Sequence, residues 1–381
     1  MFTGVLWALI AGLMLGLYAL PGKFTKDFKE ENTWGLFFML TMFVVPIIAT
    51  FVMLKSMGDI YGSPDVKAAL PVMIISSVLW GIGVMMWGKA IHHIGVSLGF
   101  SLFIGTIIFI GSILPIGIDV SKKGLAEGLP PTNTLILILI GIAVVLLGII
   151  FNGRAGLMRE ADEKKEGETK ENSGKKSMAA GIVIAVVGGL LATFFNVANT
   201  IGNAPNKLGI LNDAGDLKGI MEIAVTDAGN PGWMVALALM FPIFLSGGVI
   251  MAGYFGWQLS SKKAWGSFKT PHFGKNFVLI FIMAFFHYTA SAAYAYGASR
   301  FDLGPVVVYA IFNTTCVVVA VVSGIVTKEW INASDKAKKA LYTGLACMVL
   351  GVMVLTASKL PSSQDTVPET TPATVTEEVE V

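Results

Sequence analysis

The sequence predicts an all-α fold: a polytopic membrane protein of ten transmembrane helices arranged as two inverted five-helix repeats. Three observations predict it. The 381 residues are 54% hydrophobic and only 14% charged, with a mean hydropathy of +0.72, outside the range of ordinary soluble domains. The apolar residues gather into ten runs of about 18 residues or more, the length that crosses a hydrocarbon core as a helix. Stretches of the first half also recur, in the same order, in the second.

The first run covers roughly residues 3–20; no Lys or Arg precedes Lys23, so it lacks the basic start of a cleaved signal peptide and is expected to stay as a span. The second covers roughly 34–54. The third and fourth, roughly 68–91 and 94–118, form a hairpin whose apolar character breaks at Lys89, His92 and His93. From Trp80 to Pro115 glycine stands at 81, 83, 88, 95, 99, 105 and 111, a density of small residues that lets helix backbones approach closely inside a bilayer. The fifth run, roughly 133–151, completes a first repeat, 1–151. Residues 152–177 hold the one long charged stretch, Arg154 to Lys176, and read as a cytoplasmic linker.

The sixth to tenth runs, roughly 178–198, 232–258, 276–297, 303–327 and 340–357, form the second repeat, 178–357. A polar connection rich in Asn, Asp and Gly joins the sixth to the seventh, Asn199 to Pro231. Pro46, Pro115, Pro242 and Pro305 fall in or at the ends of spans, where proline frees carbonyls and kinks helices. After the ninth run comes KEWINASDK, whose Asn332 or Ser334 suits an N-cap. Residues 358–381 are Thr/Pro/Glu-rich and read as a disordered acidic tail. Cys316 and Cys347 lie in apolar runs and read as packing residues.

Orientation follows from the basic residues. Of the 27 Lys and Arg, 19 fall in the first, third, fifth, seventh and ninth connections. Cytoplasmic loops hold such an excess, so both termini are expected on the external or periplasmic face of the plasma (inner) membrane. The repeat is carried by three matches in consistent order. Gly141–Gly148 (GIAVVLLG) matches Gly344–Gly351 (GLACMVLG), Trp87–Gly95 (WGKAIHHIG) matches Tyr296–Gly304 (YGASRFDLG), and Met42–Ile47 (MFVVPI) matches Leu239–Phe244 (LMFPIF). Because five spans is an odd number, the second copy inserts upside down, the arrangement of many secondary transporters with a midplane site between the halves.

The chain resembles the L-rhamnose/proton symporter family of the drug/metabolite transporter superfamily. The resemblance rests on WGIG at 80–83, the glycine–serine run from Gly88 to Gly99, and Gly105 and Gly111 followed by Pro115. It continues through FFNVAN at 194–199, SGG at 246–248, Tyr294 to Gly297 with Arg300, and KEWINA at 328–333. It implies ten helices in two inverted repeats and inward sugar transport coupled to protons.

A proton-driven symporter needs a titrating group in its cavity. All 25 Asp and Glu fall outside the middles of the ten spans; Asp119, Asp302 and Glu329 come nearest, at span ends. His287 is the imidazole at mid-depth, and its side chain titrates near pH 6.5 when unperturbed. It is the candidate coupling residue; the alternative keeps it neutral and bonded to a neighbouring helix. His92 and His93 lack a third ligand at metal spacing and read as loop polarity.

A sugar requires an aromatic face for its ring and amides or hydroxyls for its OH groups. Trp80 and Trp87, seven apart, share a helix face, and Asn196, Asn199 and Asn203 repeat at three and four. Tyr294, Tyr309 and Asn313 complete the candidate substrate-binding set. No cofactor or metal is implied; the coupling ion is H+, with Na+ the alternative. The partners expected are a small sugar and the lipid bilayer, a homodimer being compatible, while no basic aromatic patch suits nucleic acid. No Walker loop or catalytic triad points to an enzyme. The competing readings are an uncoupled facilitator or exporter of another metabolite and a non-transporting receptor or scaffold.

Overall fold

The computed structural model describes residues 2–94, 96–124, 129–165, 178–206, 210, 218–299, 304–328 and 330–357. They are helical apart from connections and one isolated antiparallel bridge, Pro205 with Gly219. Nine segments among them are long and apolar enough to cross a membrane. Arg300, Asp302, Glu329, linker residues 166–177 and the tail 358–381 lie outside the described residues.

The first segment is α1 (Phe2–Leu17) with a 3-10 turn at Leu20–Phe24. The second is α2 (Glu30–Met39), a single π turn at Leu40–Val44, and α3 (Val45–Met53). The sequence dictates the π turn: Pro46 has no N–H and its ring crowds the preceding turn, so the helix loosens just before it. A short α4 (Met57–Gly62) leads into α5 (Pro64–Ile94), which starts on a proline and has Asp65 in its first turn, both favourable at a helix N-terminus. Then come α6 (Val96–Lys123) and α7 (Thr132–Lys165). In α6, the fourth expected span, the described apolar stretch is Leu102–Gly111.

In the second half, α8 (Met178–Ala192) and α9 (Phe194–Gly202) form one segment interrupted at Thr193. The Thr193 hydroxyl donates back to Leu190 O at 2.6 Å, a local bond that competes with the helix ladder. The connection that follows contains α10 (Ile220–Asp227). The remaining segments are α11 (Val235–Ser261), α12 (Phe273–Ser299), α13 (Gly304–Val326) and α14 (Asp335–Ala357). Ser334 caps α14, its hydroxyl accepting the Ala337 N–H at 3.4 Å.

One boundary differs from the sequence reading. Residues 152–165, expected as linker, continue α7 as helix. Two contacts hold this charged turn: the Arg159 guanidinium lies 5.1 Å from the Trp330 ring centroid, and Asp162 accepts the Ser334 N–H at 3.0 Å. Charge alone marks solvation; it does not mark the end of a helix.

In the packing, α1 lies against α12 and α13, while α8 lies against α5 and α6. Helix α7 pairs with α14, α11 packs on α2, α3 and α5, and α6 meets α13. The α7–α14 pair is antiparallel and glycine-stitched: a Cβ on Gly344 would sit 2.8 Å from Gly148 O, and one on Gly351 would sit 2.9 Å from Gly141 O. Outward faces carry bare apolar side chains such as Phe51, Val52, Ile75, Ile150, Val183, Val278 and Met353, the surface a bilayer covers.

Two asparagines fasten the connections. Buried Asn276, at the start of α12, accepts the Lys26 N–H at 3.0 Å and donates to Lys26 O at 2.7 Å. Asn230, before α11, does the same to Lys55, at 2.8 and 3.0 Å. Beside the first bracket, Lys262 pairs with the Glu31 carboxylate and Asn32 donates to Ala264 O at 2.9 Å.

Candidate functional site

A cavity of about 160 Å³ lies between the helices. An apolar cavity of about 150 Å³ accepts one benzene, so the space suits a single six-membered ring. Its walls come from α1, α2 and the π turn, α5, α6, α8, α9, α11, α12 and α13; α7 and α14 contribute nothing to the described lining.

The walls are largely aromatic. Trp80 lies 5.2 Å from Phe195 and 5.5 Å from Phe244 between ring centroids, and Trp87 lies 5.9 Å from Phe103. Trp80 reaches this place because α5 and α11 touch almost backbone to backbone: a Cβ on Gly81 would be 2.6 Å from Gly247 O. Polar groups come from Tyr18 just after α1, His287 and Ser291 on α12, and Tyr309, Asn313 and Cys316 on α13. No Asp, Glu, Lys or Arg lines the cavity among the described residues.

His287 is packed on three sides by rings: Tyr18 at 5.2 Å, Phe37 at 5.4 Å and Phe244 at 5.7 Å. Its Nδ1 meets the Thr41 hydroxyl at 3.2 Å. Asn313 commits one N–H to Tyr309 O at 2.9 Å; an amide has two N–H groups and a carbonyl, so capacity remains for a ligand. The Ser291 hydroxyl donates to His287 O at 3.0 Å and keeps its lone pairs.

Of the residues singled out from sequence, Trp80, Trp87, His287, Tyr309 and Asn313 line this cavity. Asn196, Asn199, Asn203 and Tyr294 do not. Tyr294 is fully buried, stacks on Phe312 at 4.8 Å, and donates from its hydroxyl to Asn196 Oδ1 at 2.5 Å. Asn196 also donates to Gly111 O at 3.4 Å, and Asn199 flanks the same hydroxyl. These three tie α9, α12 and α6 together behind Phe195 and Phe312, which form the wall itself. Asn203 sits at the C-cap of α9. The three-and-four spacing correctly places the amides on one side of a helix, but that side faces protein.

Sequence reasoning does not single out Tyr18, Thr41 or Ser291, and it reads Cys316, which lines the cavity, as a packing residue. Tyr18 and Thr41 carried a usable signal, each being a hydroxyl in an otherwise apolar run. Ser291 lies four residues after His287, one turn along the same face.

The pattern is that of a ligand pocket: apolar aromatic walls, a few polar groups with spare hydrogen-bonding capacity, and an imidazole at the edge. Comparison with known proteins agrees with it. Residues 1–359 match the L-rhamnose-proton symport protein (RhaT) family. The chain belongs to that family. An L-rhamnose-proton symporter of Yersinia pestis (strain Pestoides F) is 22% identical over 362 residues, covering 92% of this chain and 96% of its own. One from Yersinia pseudotuberculosis serotype O:1b (strain IP 31758) matches equally. Another, from Yersinia pestis bv. Antiqua (strain Antiqua), is 24% identical over 208 residues, 54% of this chain and 58% of its own. The L-rhamnose-proton symport family is one of transporters, not enzymes.

Proposed function

We propose that this chain is a secondary active transporter that imports a small sugar, L-rhamnose or a similar deoxyhexose, by proton symport with alternating access. The observation that carries the reading is the cavity. It joins Trp80, Trp87 and Tyr309, suited to the apolar face of a sugar ring, with Asn313 and Ser291 for its hydroxyls and His287 as the coupling group. Family membership and the Yersinia symporters supply the substrate class and H+ as the ion.

Alternating access draws support from the packing. Exchanging each span with the one five later carries the contacts of α1 with α12 and α13 onto those of α8 with α5 and α6. The same exchange maps α7–α14, α6–α13 and the α2–α11 contact onto themselves, and the Asn276 bracket onto the Asn230 bracket. It also leaves α7 and α14 outside the cavity together. In this reading α6 is the fourth of ten spans, the chain is inverted about a twofold in the membrane plane, and both termini face the periplasm.

That no carboxylate is found among the described lining residues favours one alternative, an uncoupled facilitator or exporter of another metabolite. Uptake of a panel of labelled sugars into proteoliposomes, with and without an inward proton gradient, decides between them. Gradient-stimulated uptake of a deoxyhexose is expected. Uptake indifferent to the gradient supports a facilitator, and no uptake of any sugar would sink the sugar-import reading.

A further inference from the structure

We infer that Thr41 is the positioning residue of the proton site: its hydroxyl holds the Nδ1–H of His287 and leaves the Nε2 lone pair to take the transported proton. The inference rests on His287 being the coupling group, and goes beyond it by naming the tautomer and the residue that sets it.

The hydrogens available at the Thr41 hydroxyl decide the tautomer. Thr41 Oγ1 lies 3.3 Å from Ala284 O and 3.2 Å from His287 Nδ1, and Thr41 is fully buried. A hydroxyl has one hydrogen and two lone pairs, and a carbonyl oxygen can only accept. If the hydrogen points to Ala284 O, a lone pair is left to accept Nδ1–H, and both contacts are hydrogen bonds. If it points to Nδ1, two acceptor oxygens face each other at 3.3 Å away from water, and one contact becomes repulsive. The first arrangement satisfies every hydrogen and acceptor at the Thr41 hydroxyl. It fixes the neutral ring as the Nδ1–H tautomer, since the bond made by one ring nitrogen decides the state of the other.

Position reinforces this. Thr41 belongs to the π turn imposed ahead of Pro46, and is not itself part of the cavity wall, whereas His287 is. The polar atom of the ring left for the cavity is therefore Nε2. The rings against the imidazole are Tyr18 just after α1, Phe37 from α2 and Phe244 from α11, and the polar groups that line the cavity with it are Ser291 on its own helix and Tyr309, Asn313 and Cys316 on α13. A proton from cavity water adds to the Nε2 lone pair and gives an imidazolium with N–H on both nitrogens. Release returns that proton to water on the opposite side. The Nδ1–H bond to Thr41 persists in both states, so the ring keeps its orientation through the cycle.

The test uses the full chain in proteoliposomes, with ¹⁵N-labelled histidine and His92, His93 and His272 replaced by Gln so that one imidazole is observed. Nitrogen NMR of the neutral ring is expected to report the Nδ1–H tautomer in the parent and in Thr41→Ser, and a population of Nε2–H in Thr41→Val. Removing the hydrogen-bond partner that orients a metal-ligating histidine costs about 10- to 100-fold; taking the low end for this metal-free ring, proton-driven uptake of labelled L-rhamnose should fall roughly tenfold in Thr41→Val. Sugar counterflow should hold, and Thr41→Ser should restore the loss. Persistence of the Nδ1–H tautomer in Thr41→Val, or no rescue by Thr41→Ser, would overturn the role of Thr41. Retention of proton-driven uptake by His287→Gln would instead overturn the coupling role beneath it.

Discussion

Replacing Asn276 by Ala tests how the ends of the helices are fastened. The side chain is fully buried and makes two hydrogen bonds to the backbone of Lys26. Each such bond is worth about 1 kcal/mol net. Lys26 is exposed, so water recovers its N–H and C=O after truncation and no large penalty for stranded groups is added. The loss should therefore be about 2 kcal/mol. Asn276→Asp should be at least as damaging, because a buried carboxylate oxygen would face the Lys26 carbonyl in place of an N–H. Asn230→Ala removes the matching pair to Lys55 and should also cost about 2 kcal/mol. The brackets lie at separate connections and share no partner, so the double variant should lose roughly the sum. Unfolding followed against SDS mole fraction, with intrinsic fluorescence as readout, measures each step. A shift below about 0.5 kcal/mol for Asn276→Ala, or an Asp variant as stable as the parent, would refute the reasoning.

Three further outcomes follow from the packing and the cavity. A Cβ on Gly111 would overlap the Tyr309 ring, so Gly111→Ala should displace that wall and weaken sugar binding about tenfold in counterflow, within the 1–3 kcal/mol typical of overpacking. Gly344→Val should push α14 off α7, where a Cβ already meets Asn152 and Gly148 O; a loss of about 1–3 kcal/mol in the same SDS titration is expected, with sugar affinity in the surviving folded fraction unchanged because neither helix lines the cavity. Asn313→Leu should raise the KM for sugar by roughly 10- to 100-fold, the usual penalty when a ligand hydroxyl loses its partner, while Asn313→Ala in the same assay should show that steric bulk is not the cause.

The fold was largely legible because membrane spans advertise themselves: apolar runs such as 232–258 and 276–297 correspond to α11 and α12 with boundary shifts of a few residues. What escaped were features set by tertiary contact or by a single side chain within a run. The charged turn at 152–165 is helical because Trp330 and Ser334 receive it, partners distant in the sequence, Ser334 lying 172 residues from Asp162. The break at Thr193 and the π turn at 40–44 hang on single hydroxyl and proline effects inside apolar runs. For the site, periodicity identified which residues share a face without saying what that face meets. Trp80 and Trp87 turn toward the cavity, while Asn196 and Asn199 turn toward Tyr294. His287 stands out as the imidazole at mid-depth; Thr41 is marked only by the packing of the π turn against α12.

The account stands on proton-coupled accumulation of a neutral sugar through one cavity, and its most direct test is the steady-state ratio of internal to external labelled L-rhamnose in proteoliposomes as the imposed pH difference is varied. One proton per sugar supplies about 1.4 kcal/mol per pH unit, which sets a limiting accumulation of about tenfold per unit. The ratio should climb with the gradient toward that limit in the parent protein and stay at unity in His287→Gln. A ratio fixed at unity in the parent across all gradients, or a gradient-dependent ratio that survives in His287→Gln, would contradict it.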